Sequence, residues 1–349
     1  MIAPGSRELA ASLAGRVPEA LCPGHKVVVT GCAGFIGSRL TELLLELGCQ
    51  VVGVDSLTDY YDPQQKQRNL VDCIAQPTFT FLASDLLELD PVDLLGGASV
   101  CFHLAAQAGV RASWGGNFST YVTNNILSTQ RLLEACLSPR VRGDLVRFVY
   151  SSSSSIYGDQ SHLPVTEAAL PNPRSPYGVT KLAAEHLCVL YSANYRVPTT
   201  SLRYFTVFGP RQRPDMAFRR FIECTLVGEP FFVYGDGEQT RDFTYVDDAV
   251  RANILAVAPP AVCEVFNVGG GARISLRDAL ERLTQLLAAT EPSLRPVLRY
   301  QESATGDVRD TFADRSHIET VIGYFPRVDF ADGLVRQVRW AVSRRAEID

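Results

Sequence analysis

Apolar positions along this chain fall into two alternating rhythms. Short runs rich in valine and other strand formers, "KVVVTG" (26–31), "QVVGVDS" (50–56), "FTFLASD" (79–85), "ASVCFHLAA" (98–106) and "LVRFVY" (145–150), read as strands. Between and after them lie segments with helical spacing. "SRLTELLLELG" (38–48) stops at Gly48, "NNILSTQRLLEACL" spans 124–137, and a third helix covers 177–194 before the strand "PTTSLRYFTVFG" (198–209). The strand–helix alternation predicts an α/β fold with a parallel, doubly wound Rossmann sheet. Beyond 209 the rhythm gives way to Pro- and Arg-rich loops, short strands and a late helix, "SLRDALERLTQLL" (275–287), which predicts a smaller α/β substrate lobe. The expected division is an N-terminal extension (1–24), a dinucleotide-binding domain (25–205 plus about 240–268) and a substrate lobe (206–239 and 269–349).

Composition narrows the function classes. With 349 residues, 46% of them hydrophobic, the chain is long enough for a large core, and no stretch approaches a membrane span. Arg7, Glu8, Arg16 and Glu19 interrupt the N-terminus, so it does not read as a signal peptide. Nine scattered cysteines without a CxxC pair suit a reducing cytoplasm. Five isolated histidines lack metal-ligand spacing, so no metal is expected. A net charge of −5 without a basic block argues against nucleic acid.

"TGCAGFIGS" (30–38) lies between a strand and a helix. Gly31 suits the tight turn, Gly34 leaves room for a pyrophosphate, and Gly37 lets helix and strand approach; Phe35 and Ile36 present backbone amides at the helix start. Asp55, ending the next strand 18 residues past Gly37, is placed to accept ribose hydroxyls and repel a 2′-phosphate, which favours NAD over NADP. Asp85 and Leu86, closing the third strand, are adenine-side candidates. Lys66 and Arg68 are each near enough in sequence to reach a phosphate. In "SPYGVTKLAAEH" (175–186), Tyr177 and Lys181 stand four apart on one helical face. A nearby ammonium and a nicotinium ring would favour the phenolate of a tyrosine otherwise too weak a base at neutral pH. Lys181 is one of only three lysines.

These motifs, with "SSSSSIYG" and "RDFTYVDD", resemble the extended short-chain dehydrogenase/reductase superfamily from about residue 25 onward. The closest resemblance is to nucleotide-sugar 4-epimerases. "LRYFTVFGPRQRPDMAF" (202–218) is similar in particular to UDP-glucuronate 4-epimerases. The resemblance implies tightly held NAD, a C-terminal lobe for a UDP-sugar, and a homodimer. It places the catalytic hydroxyl four residues before the tyrosine of the "YG" pair, Tyr157, and therefore at Ser153. Related dehydratases carry an Asp–Glu pair where Ser154 and Ser155 stand here, and related decarboxylases carry a glutamate at the second position. Dehydration requires an acid and a base beyond the tyrosine, and two serines at ordinary pKa supply neither, so reversible oxidation and epimerization is the expected chemistry. Arg241 matches the arginine that holds the diphosphate, and Asp307 matches a position near the uridine ribose or that arginine. Ala304 stands where some epimerases carry a second phosphate-clamping arginine.

A 4-keto glucuronate is a β-keto acid, so its carboxylate has to be gripped to prevent loss of CO₂. Arg213, with its planar fork, and Thr206, in place of an asparagine common in hexose epimerases, are the candidates. The alternative for Arg211 and Arg213 is a pair of loop charges touching solvent or phosphate. Other readings of the whole chain are a UDP-glucose or UDP-N-acetylglucosamine 4-epimerase, a UDP-glucuronate decarboxylase, and a redox sensor that binds NAD without turnover.

Overall fold

The computed structural model describes residues 4–345. Seven parallel strands form the central sheet: β1 (Lys26–Thr30), β2 (Gln50–Val54), β3 (Phe79–Leu82), β4 (Val100–His103), β5 (Arg147–Ser153), β6 (Thr199–Tyr204) and β10 (Val265–Val268). Their order is β10-β6-β5-β4-β1-β2-β3. The chain therefore winds outward from β1 in one direction and then from β4 in the other, and the strand order reverses where β1 meets β4. Such reversals open a crevice at the carboxyl ends of the strands.

Because successive side chains on a strand face opposite ways, each buried strand feeds two cores. Val27, Val29, Phe102 and Val149 pack toward the helices Phe35–Glu46 and Val246–Leu255. Val28, Cys101, Phe148 and Tyr150 pack toward Ser128–Ala135 and Pro176–Tyr195. The apolar runs lacked a period-two pattern for this reason: both faces are covered.

Beyond shifts of a few residues at element ends, three departures from the expected elements bear on the site. The strand expected over 145–150 starts at Arg147 and continues through Ser153, with Ser151, Ser152 and Ser153 paired to Leu202, Arg203 and Tyr204. Serine costs little in a strand whose neighbour supplies the ladder hydrogen bonds. The strand expected over 198–209 is two strands. At Phe205 the chain leaves the central sheet, and β7 (Thr206–Phe208) joins a second sheet of order β11-β9-β7, with β9 (Thr240–Tyr245) and β11 (Arg273–Ser275). β10 thus completes the large sheet while β9, expected on the dinucleotide side, pairs with β7 in the small one. The helix expected over 124–137 begins as a π-helical stretch, Val122–Leu127, before the α-helix Ser128–Ala135. Asn125 explains it locally: its side chain accepts from the Gln107 amide at 2.7 Å and donates to Thr180 at 3.0 Å, holding the widened turn against its neighbours. A further parallel pair, β8 (Pro230–Tyr234) with β12 (Val297–Gln301), extends the C-terminal part. Among the described residues no helix is long and apolar enough to cross a membrane.

Candidate active site

The glycine turn is built by close packing. Gly31 sits at φ +70, in the left-handed region, and a Cβ there would lie 2.8 Å from the Ala105 nitrogen. A Cβ on Gly37 would lie 2.1 Å from the Gly31 carbonyl oxygen, so only glycine lets the helix Phe35–Glu46 start this close to β1. At the end of β2, Asp55 accepts from the amides of Ala33 (3.2 Å) and Leu57 (2.9 Å), tying the turn after β1 to the loop after β2. Lys66 is buried at 7% exposure and lies 3.5 Å from the same carboxylate, whereas Arg68 pairs with Asp62 at 3.1 Å. Lys66 thus belongs to the cleft and Arg68 does not line it. Asp85 accepts from the Leu87 amide at 2.8 Å.

Gly31, Gly34, Phe35, Ile36, Gly37, Asp55, Asp85, Leu86, Tyr177 and Lys181 all line one cleft. Its make-up suits a dinucleotide: glycines and a helix start at one end, a strand-end carboxylate on the flank, and a tyrosine and lysine at the other end.

Tyr177 and Lys181 stand one turn apart on the helix Pro176–Tyr195, which Ser175 caps by accepting from the Gly178 amide at 3.1 Å. A Cβ on Gly178 would lie 2.6 Å from the Ser155 carbonyl, so this helix start and the serine turn are pressed together. Ser153 hydrogen-bonds the Tyr177 phenol and accepts from the Ser155 amide at 3.1 Å. Lys181 is anchored to the strand that carries Ser153. Its ammonium donates to the Ser151 carbonyl at 2.8 Å, and burial with the nearby Arg213 charge pulls Lys181 down to about 7. Burial pushes Tyr177 up from its ordinary value; the Arg213 charge and the Ser153 hydroxyl oppose that rise, and Asp215 adds to it. Arg213 is thus a cation that acts on the phenol.

Below β5 lies a buried polar network. Ser152 donates to Glu185 at 2.6 Å, Arg203 holds both oxygens of that carboxylate at 2.6 and 3.0 Å, and Tyr157 accepts from Arg203 and donates to Asn267 at 2.7 Å. Glu185 is one turn past Lys181, so the helix is fastened to the strand that carries Ser153.

Ser153, Ser154, Ser155, Thr206, Arg213, Arg241 and Asp307 line a pocket adjoining Tyr177. A larger pocket of about 870 Å³ continues outward past Tyr234, Arg220 and Asp215. Arg241 donates to the carbonyls of Thr240 (2.8 Å) and Arg309 (3.1 Å), which aims it from β9 into both pockets. Asp307 shares this neighbourhood but is ion-paired at 2.7 Å to Arg111, whose guanidinium stacks 3.9 Å from the Tyr234 ring. Arg213 does not present an open fork. Its Nε and Nη2 each donate at 3.0 Å to an oxygen of Asp215, which also accepts from Tyr60 at 3.3 Å. Arg211 is not a loop charge in solvent either: it donates to Glu42 at 2.6 Å. Sequence reasoning missed Asp215, Arg111, Tyr60 and Glu185. Only Glu185 carried a readable signal, the continued four-residue step after Tyr177 and Lys181.

Residues 27–269 match the profile of the NAD dependent epimerase/dehydratase family. The chain belongs to this family. It is 37% identical over 318 residues to UDP-glucuronate 4-epimerase of Thermodesulfobacterium geofontis, covering 90% of this chain and 95% of that one. It is 39% identical over 320 residues to an uncharacterized UDP-glucose epimerase of Bacillus subtilis, covering 91% and 98%. A crystal structure of UDP-glucuronic acid 4-epimerase from Bacillus cereus, in complex with UDP-glucuronic acid and NAD, superposes with a TM-score of 0.85 at 42% identity over 91% of this chain and 99% of that one. The family match includes the glycine turn, the serine strand and the Tyr177–Lys181 helix within its span.

Proposed function

We propose that this protein is an NAD-dependent nucleotide-sugar 4-epimerase that interconverts UDP-glucuronate and UDP-galacturonate. The observation that carries the reading is the composition of the pocket before Tyr177. It offers five serines (Ser152, Ser153, Ser154, Ser155 and Ser175), two threonines and three guanidinium groups, and its one lining carboxylate, Asp307, is engaged by Arg111. Such a wall supports oxidation and reduction at a carbon bearing a hydroxyl and supplies no second acid and base for elimination. Gly31, Gly34, Gly37, Asp55 and Asp85 would hold NAD, which supplies a hydride acceptor and donor when bound. Tyr177 takes the proton of the sugar 4-hydroxyl and later returns it, while Ser153 donates to the reacting oxygen and holds the phenol in place. Arg241 faces the diphosphate, and Arg213 and Thr206 lie on the side of the sugar C6 carboxylate.

A neutral UDP-hexose is the second reading, favoured by the closure of Arg213 on Asp215. Incubation with UDP-glucuronate, UDP-glucose and UDP-N-acetylglucosamine, followed by NMR of the sugar protons, separates the two. Formation of UDP-galacturonate without CO₂ supports the proposal. UDP-galactose alone supports the second reading, and CO₂ with a UDP-pentose makes the protein a decarboxylase.

The proposal extends to assembly and setting. Val179, Val189 and Leu190 are exposed on the helix Pro176–Tyr195, with Leu127 exposed on the adjoining segment, which supports a homodimer formed through this face. Nine free cysteines support a reducing, cytoplasmic setting. The smaller sheets and the C-terminal helices form the lobe that receives the UDP-sugar.

A further inference from the structure

Asp215 covers the edge of the Arg213 guanidinium on which a carboxylate ligand would sit. Asp215 follows Arg213 by two residues in one loop, and two of the three guanidinium nitrogens hold its two oxygens at 3.0 Å each. This is the parallel two-bond geometry that makes arginine selective for carboxylates. The pair is not sealed in the core: the side chains are 25% and 37% exposed. Arg213 lines the pocket that contains Tyr177 and Ser153, while Asp215 lines the pocket that continues outward. Tyr60, which lines both the Tyr177 cleft and the outer pocket, donates to the Asp215 oxygen that Arg213 Nη2 also holds and gives the carboxylate a second partner.

We propose that Asp215 is a specificity-determining residue, an internal carboxylate that a sugar carboxylate has to displace from the Arg213 fork. The inference rests on the proposed function only in its choice of ligand. A neutral sugar leaves the pair intact. A uronate brings a second negative charge to one guanidinium, and the two carboxylates repel each other until one leaves. Asp215 retains Tyr60 when it goes, so its release does not strand a charge. While in place, it keeps the guanidinium oriented toward the pocket and neutralised in the absence of a uronate. Asp215 therefore weakens uronate binding and leaves neutral sugars untouched, which sets how far the site distinguishes the two.

The test is calorimetric titration of the NAD-loaded protein with UDP-glucuronate, UDP-glucose and UDP. Asp215→Asn keeps the side-chain shape and removes the competing charge. UDP-glucuronate is expected to bind roughly tenfold tighter, with UDP-glucose and UDP within about twofold of wild type. Asp215→Ser, a polar loop residue with no carboxylate, is expected to act in the same direction. In an Arg213→Gln background the gain from Asp215→Asn is expected to vanish, because both act through one fork. Unchanged or weaker UDP-glucuronate binding in both Asp215 variants overturns the inference, as does an equal gain for all three ligands. Wild-type turnover of UDP-glucose without UDP-glucuronate would overturn the uronate reading of function. The Asp215 variants still have to gain affinity for UDP-glucuronate in that case, so the two failures are read separately.

Discussion

At the residue scale, the proposed chemistry turns on how a buried phenol would become a base. Burial alone keeps Tyr177 protonated; the opposing groups are a cation, Arg213, and a hydroxyl, Ser153. Tyr177→Phe removes the proton acceptor, and turnover is expected to fall by ~10²–10⁴ while the folded protein still carries NAD. Ser153→Ala leaves the phenol in place and is expected to cost less; single-turnover rates on folded protein check both. Arg213→Gln tests the cation separately. Loss of a positive charge that favours the phenolate raises the Tyr177 pKa. The acid limb of the pH–rate profile is therefore expected to move to higher pH, with activity partly recovered on the alkaline side. A purely structural arginine would lower the rate at every pH and leave the limb where it was. That Tyr177, Lys181 and Ser153 come together was legible in the sequence because each belongs to a motif of fixed spacing. Asp215 was not, because a carboxylate two positions from an arginine in a loop has no periodicity to fix its direction.

At the element scale, the strands were legible as elements and illegible in their ends. β5 runs three residues into the serines because β6 pairs with it there, and no local propensity announces that pairing. The split at Phe205 was equally hidden: "LRYFTVFG" is uniformly strand-like, and only the presence of two different sheets divides it. A buried histidine shows how such elements are tied together. His103, at the end of β4, lies 2.7 Å from the Thr30 hydroxyl on β1 and 2.9 Å from that of Thr129 on the helix Ser128–Ala135. Burial, aided by the Lys181 charge, depresses its pKa to about 3. The folded state thus keeps His103 neutral where the unfolded chain takes up a proton. Stability is full above the ordinary histidine value of about 6.5 and is lost as the pH falls from there toward 3. Urea titrations across that window are expected to show His103→Asn losing its pH dependence by one proton, about 1.4 kcal/mol per pH unit, relative to wild type. Equal slopes would mean that the acid sensitivity lies elsewhere.

At the scale of the whole molecule, the feature least visible in the sequence is the segment before β1. Residues 1–24 read only as an extension, because their apolar positions carry no motif and the partners of the described ones lie from about 30 to more than 300 residues away. In the structure Leu9, Leu13 and Leu21 are buried in the same core as the helices Phe35–Glu46 and Phe330–Arg345. Arg39 donates to the Gly5 carbonyl (2.9 Å) and the Ser6 hydroxyl (2.6 Å), fastening the segment to the helix that begins at the glycine turn. Arg16 reaches the opposite way, donating to the carbonyls of Ile322 (2.9 Å) and Gly323 (2.7 Å) at the end of the helix Ser316–Ile322. Those are among the carbonyls a helix leaves unpaired, at its negative end, so a guanidinium there satisfies both the hydrogen bonds and the dipole. The N-terminal segment is thus a strap between the helix Phe35–Glu46 and the C-terminal part, and none of its described residues lines the Tyr177 pocket. Arg16→Ala is expected to lower stability by about 2 kcal/mol. It is also expected to leave kcat and the affinity for UDP-sugar at wild-type values, since no residue lining the cleft changes partner. Melting curves and steady-state kinetics on the same preparation check this. A fall in kcat at unchanged melting temperature would mean that the strap acts on the site itself rather than on the fold that carries it.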